Sequence, residues 1–183
     1  MASKPRNRAI AALERVTGAI NGALLVVAAL ALLAASVILS QSVIVRYFLK
    51  QSTYWQDEAS ILLLTAGIFL TAAGIQQKRG HVGIEAIVGL LPPGAERARR
   101  LIVDLASAAF CGFFAWKSWT LLHEAVIENQ VKESTWAYPL WIPYAIMAIG
   151  MTLLTVQILI QIAAWFTGDD RAIVKHAAEL GGL

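Results

Sequence analysis

The stretch Trp55-Gln56-Asp57-Glu58, the uncharged run 59–77 and then Lys78-Arg79-Gly80-His81 decide how this chain is read. Nothing in 59–77 is ionisable. At 1.5 Å per residue such a helix covers roughly 30 Å, the hydrocarbon thickness of a bilayer. The stretch therefore predicts a transmembrane helix with an acidic end and a basic end, the basic end facing the cytoplasm. Its start carries local signals. Thr53 and Gln56 fit a T-x-x-Q capping box. Asp57 and Glu58 fall in the first turn, where the helix dipole favours negative charge. Trp55 suits the membrane–water interface. These residues also fit a plain helix start with no further role. Ser60, Gly67, Thr71 and Gly74 form a small-residue stripe, which in lipid marks the close approach of another helix.

Composition agrees with that reading. Of 183 residues, 58% are hydrophobic and 15% charged, and the mean hydropathy is +0.64. Soluble domains carry about 25% charged residues. We expect an all-α integral membrane protein, one domain over 1–183, with four transmembrane helices at about 18–45, 58–77, 101–122 and 140–166. The single Cys111 excludes an intrachain disulfide.

The remaining segments follow from pattern. Before the first span stand Lys4, Arg6, Arg8 and Arg15. The apolar run 16–45 is longer than the ~7–15 residues of a signal-peptide core, so it is expected to be a retained span. On it Gly18 and Gly22 are a small pair, and Gly22, Ala29 and Ser36 continue a stripe. Arg46 ends this span, and a short connection places it near Asp57 and Glu58, one of which it can pair with. Residues 82–91 show Ile84, Ile87, Val88 and Leu91 at helical spacing, too short to span. They predict an amphipathic helix lying along the interface. Pro93 suits the first position of the third helix. Lys117 is read as lying near the far end of that span, where it can snorkel to the headgroups. In the fourth span, Gln157, Gln161, Thr152 and Thr155 suit interhelical hydrogen bonds.

Charge sets the expected topology. Segments 1–15, 78–104 and 168–183 hold eleven Lys and Arg, and the opposite side holds Arg46, Lys50, Lys117 and Lys132. The bias predicts both termini in the cytoplasm. It also accounts for the pI near 9.2 without nucleic acid.

On this reading no span has an ionisable residue near its middle. Secondary transporters hold substrate and ion near the midplane with polar or charged groups, so the chain is expected to carry no cargo itself. Haem ligation is not expected either: His81 and His123 fall on opposite faces and His176 in the tail. No metal spacing, nucleophile motif or phosphate loop is present. No cofactor is expected, and the chain reads as a non-enzymatic part that packs, anchors and docks. The alternatives are a small homo-oligomeric channel lined by Gln157, Gln161 and the threonines, or an intramembrane redox module.

Several motifs, in order, resemble one family. Arg46-Tyr47-Phe48, Trp55-Gln56-Asp57-Glu58, Gly74, Lys78-Arg79-Gly80-His81-Val82, Pro139-Leu140-Trp141-Ile142-Pro143-Tyr144 and Gly150 are similar to the DctQ-like small membrane subunit of tripartite ATP-independent periplasmic (TRAP) transporters. The resemblance runs from the first span to the fourth. At Asp57 the family more often carries Glu, and the charge is kept. The resemblance implies a bacterial inner-membrane subunit of a three-part system. A periplasmic binding protein captures an organic acid, and a large permease subunit holds the substrate and sodium sites. The small subunit packs beside the fixed part of the large one. Its expected interface residues are Arg46, Trp55, Asp57 and Glu58 at the outer face, Gly67 and Gly74 along the second helix, and Lys78, Arg79 and His81 at the inner face. His81 can cap a helix, bond a lipid phosphate, or make one ordinary interfacial hydrogen bond.

Overall fold

The computed structural model describes residues 8–77 and 93–167. The expected interfacial helix 82–91, residues Lys78, Arg79 and His81, and both terminal segments lie outside the described residues. Four helices form: α1 (Arg8–Ile44), α2 (Tyr54–Gln77), α3 (Pro93–Ile127) and α4 (Trp141–Thr167). All four are long and apolar enough to cross a membrane. α3 opens at Pro93, where a missing N–H costs no helical hydrogen bond. α4 tolerates Pro143 because it lies in the first turn.

Two helices continue past the expected limits of their spans. α1 continues past Ile44 as a wider π turn, Val45–Leu49, and stops at Lys50 in a left-handed conformation (φ 51°). α3 runs on to Ile127, and the chain returns through a small hairpin-like loop. There Val131 bridges Pro139, the Lys132 amide donates to the Tyr138 carbonyl, and the Leu140 amide donates to the Gln130 carbonyl. These bonds pair main-chain groups that the helix ends would leave open.

The helices pack as a row in the order α1, α2, α4, α3. Burial follows that order: 33% and 44% of the inner spans α2 and α4 are buried, against 17% for each edge helix. α3 carries the chain back across the layer, so α2 and α4 run parallel. Phe69 meets Gly150 and Gln76 meets Gln161 along their shared face. The core cluster joins Ala73 of α2, Ala115 of α3, and Met151, Leu154, Ile158 and Ile162 of α4.

The α1–α2 seam is a pair of matched seven-residue repeats. Asn21, Ala28, Ala35 and Ser42 on α1 are buried, as are Thr53, just before α2, and Ser60, Gly67 and Gly74 on it. Ser42 meets Thr53 at one end and Asn21 meets Gly74 at the other. That register sets Ala35 beside Ser60 and Ala28 beside Gly67. A strict repeat of seven keeps one face turned to a partner when two helices coil left-handedly, and small side chains bring the backbones close enough for dense packing in lipid.

This seam corrects the expected stripe on α1. Gly22, Ala29 and Ser36 are exposed, and a Cβ built on Gly22 would meet nothing within 4 Å. The true stripe lies one residue earlier, about 100° around the helix. The two stripes have the same spacing, and only the partner distinguishes them. On α2, Gly67 and Gly74 face α1: a Cβ on Gly67 would fall 2.6 Å from Leu32 Cδ2. Both glycines are thus covered within the chain and form no free surface along α2.

Candidate functional site at the two ends of α2

The Tyr54 end of α2 is tied on both sides. Toward α1, Arg46 pairs with Asp57 and its Nε donates to Thr53 Oγ1. Ser42 and Thr53 share a hydrogen bond of 2.8 Å, and Ser42 Oγ lies 3.3 Å from Asp57 Oδ1. One hydroxyl proton cannot serve two acceptors. If Thr53 donates to Ser42 and Ser42 to Asp57, the four side chains close a ring with both hydroxyl protons used. Of the two carboxylates within reach, Arg46 takes Asp57. The pair keeps 52% and 43% of its side-chain surface in the open, so it contributes at most about 1 kcal/mol.

Glu58, one residue on, points about 100° away and reaches the loop between α3 and α4. It accepts from Ser134 Oγ at 2.9 Å and stands 3.9 Å from Lys132 Nζ. Lys132 also lies over the Tyr138 ring at 5.2 Å. The Glu58 side chain is only 14% exposed, so losing its donors would cost more than breaking the open Arg46–Asp57 pair. The loop bends to make this contact. Asn129 and Ala137 hold positive φ values of 47° and 44°, and Ser134 Oγ also accepts from the Ala137 amide at 3.3 Å. The adjacent carboxylates thus act as a two-sided clamp.

The capping box does not close as expected. Thr53 Oγ1 faces Ser42 and Arg46, and Gln56 is buried with its Oε1 lacking a hydrogen-bond partner among the described residues. Tertiary partners override the local pattern here. Trp55 is exposed, together with Tyr47, Phe48, Tyr54, Trp136 and Trp141. They form a collar of the kind that sits at headgroup level.

The Gln77 end is tied by amides. Asn21 Nδ2 donates to Gln77 Oε1 at 3.2 Å. Gln76 Nε2 donates to Gln161 Oε1 at 2.9 Å, and Gln161 Nε2 donates back to the Gln76 carbonyl at 2.8 Å. Gln161 is almost wholly buried. The fourth-span polar residues therefore divide. Gln161 bonds α2, and Thr152 accepts from Trp119 Nε1 at 3.0 Å. Thr155 bonds its own helix at the Met151 carbonyl. Gln157 is 3% exposed, and its Oε1 has no partner among the described residues. Gln161 is committed to a helix contact rather than to a pore.

Lys117 departs from its expected place near the end of the span. Gly112 lies beside Thr155, and Trp119 bonds Thr152. That antiparallel register sets Lys117 level with Gly150, which touches Phe69. Phe69 lies about 15 Å below residue 59 and about 12 Å above Gln77. On α3 itself, Lys117 is about 9 Å along the helix from His123 and about 20 Å from Asp104. The first measure puts it near the middle of the apolar layer, and the second puts it within that layer on the His123 side. Sequence counting ended the span at 122, whereas the apolar helix runs to Ile127, about 15 Å past Lys117. Lys117 is exposed, with Nζ 4.9 Å from the Trp116 ring centroid. A cation–π contact contributes about 0.5–2 kcal/mol, whereas a bare ammonium at the centre of a bilayer costs about 2.5–3.5 kcal/mol or more.

Among the described residues no three His, Cys, Asp or Glu side chains gather as a metal site would require. Several of the described polar side chains hold helices to helices or to the loop before α4. Fold and site together define a four-span membrane protein whose polar groups lock an inner helix to its neighbours. The match to known proteins is specific. The chain belongs to the family of the DctQ component of tripartite ATP-independent periplasmic transporters, whose model matches residues 35–168. It is similar to the C4-dicarboxylate TRAP transporter small permease protein DctQ of Vibrio cholerae, with 26% identity over 162 residues, covering 75% of this chain and 69% of the relative. No solved structure matches the chain. The chain is therefore a multi-pass small permease subunit of a bacterial TRAP transporter.

Proposed function

We propose that this chain is a non-catalytic scaffold in a sodium-coupled TRAP transporter that imports an organic acid. It holds the static part of the large permease subunit in the inner membrane, with both its own termini in the cytoplasm. Its outer face helps dock the periplasmic binding protein. The cargo and sodium sites belong to the large subunit, and this chain takes no cofactor. C4-dicarboxylates, named for the Vibrio relative, are the first substrates to test. Lys78, Arg79 and His81 serve the inner face, and Arg46, Trp55, Asp57 and Glu58 shape the outer one.

The observation that carries this reading is the clamp at the Tyr54 end. Asp57 and Glu58 spend their charge on α1 and on the loop 128–140, which builds a shaped surface and commits both carboxylates to contacts within the chain. The exposed aromatic residues around the clamp set the depth at which that surface meets water. The test is uptake into proteoliposomes holding the large permease subunit, with binding protein, labelled dicarboxylate and a sodium gradient. Uptake is expected only when this chain is included. Equal uptake without it would refute the scaffold role.

A further inference from the structure

Lys117 sits on the side of the edge helix α3 that faces away from the bundle. The α4 side of α3 is marked by Leu101, Ala108, Cys111 and Ala115, which pack in or against the core. Lys117 is two residues past Ala115, about 200° around the helix. Its neighbours at helical spacing, Phe110 and Phe113, are 63% and 53% exposed. The rings of this face touch one another: Phe113 with Phe114 at 6.3 Å and with Trp116 at 6.2 Å. An ammonium has three donors and no acceptor, and a hydrocarbon layer offers it nothing to bond. Side chains of a helix lean toward its N-terminus, which for Lys117 is the longer way to water.

We propose that this face of α3 is buried against a transmembrane helix of the large permease subunit, and that Lys117 there meets a carboxylate of that helix. The inference rests on the scaffold reading above. Charge chooses the occupant. A second copy docking by the same face would set Lys117 toward Lys117, since a two-fold contact presents the same patch twice. Lipid phosphates lie at the headgroups, and the main-chain carbonyls of a spanning helix are already used within it. A carboxylate at the same depth satisfies both charges at once.

The test co-expresses this chain, tagged, with the large permease subunit and measures how much large subunit is retained. Parent and Lys117→Arg are expected to retain it equally. Lys117→Leu is expected to retain at least tenfold less, and Lys117→Glu no more than that. Alone in nanodiscs, Lys117→Leu is expected to melt no lower than parent, because it removes an unmatched charge. A photo-crosslinker at Phe113, with Lys117 intact, is expected to join the large subunit, so the face is tested even if a Lys117 variant folds poorly. Full retention by both Leu and Glu variants, or a Phe113 adduct with lipid alone, overturns the inference and leaves the scaffold reading standing. Failure of the parent chain to retain the large subunit overturns both.

Discussion

At its Tyr54 end α2 holds α1 through Arg46, Ser42, Thr53 and Asp57, and the loop before α4 through Glu58. At its Gln77 end it holds α1 through Gln77 and α4 through Gln76. The task is similar and the chemistry is not. The Arg46–Asp57 pair forms where the side chains remain half open to water, and neutral amides where Gln161 is 1% exposed. Water lowers the cost of keeping an ion and weakens its attraction, while a dry interior makes an unpaired charge costly and a paired amide affordable. The same helix therefore changes its fastening with how far the protein itself excludes water at each end.

The comparison can be broken most severely between the two ends. A Cβ on Gly150 would lie 2.5 Å from the Phe69 carbonyl oxygen, a main-chain atom that cannot swing aside. Gly150→Ala should push α2 from α4 and cost about 1–3 kcal/mol, read as a clear fall in melting temperature in detergent. An unchanged melt would show that the two helices can separate freely.

Gln161→Leu comes next. It strands the Gln76 amide and carbonyl, two groups with bonds of about 0.6 kcal/mol each and at most ~1.7 kcal/mol in a membrane. The loss should not vary with salt. Arg46→Ala should have the smallest effect, under about 1 kcal/mol, and raising sodium chloride should shrink it further. A salt-dependent Gln161 effect, or a large salt-independent Arg46 effect, would reverse the assignment of wet and dry ends. Both are read from denaturation midpoints at two ionic strengths.

Parts of this site were legible before any coordinates. The Arg46–carboxylate pair followed from a short connection, and the Gln161 bond followed from a polar residue in a span. Thr53 was misassigned because a capping box is a local pattern, and Ser42 and Arg46 compete for the same hydroxyl from elsewhere in the chain. Glu58's partners, Ser134 and Lys132, lie far along the chain, and no local spacing announces them. On α1 the heptad Asn21, Ala28, Ala35, Ser42 was present in the sequence, yet Gly22, Ala29 and Ser36 offered an equal repeat one position later.

What the sequence by itself determined is the number of membrane crossings, their approximate limits and the family. Hydrophobic length is a sum over neighbours in the chain, and a bilayer reads that sum directly. What only the tertiary structure decided is which face of each helix is covered, the row order α1, α2, α4, α3, and the mid-layer depth of Lys117. Those depend on rotation and sliding of one helix against another, and every span is apolar enough to allow several. Close contacts such as Ser42–Thr53 and Phe69–Gly150 select one arrangement, because only there do small residues and polar partners coincide.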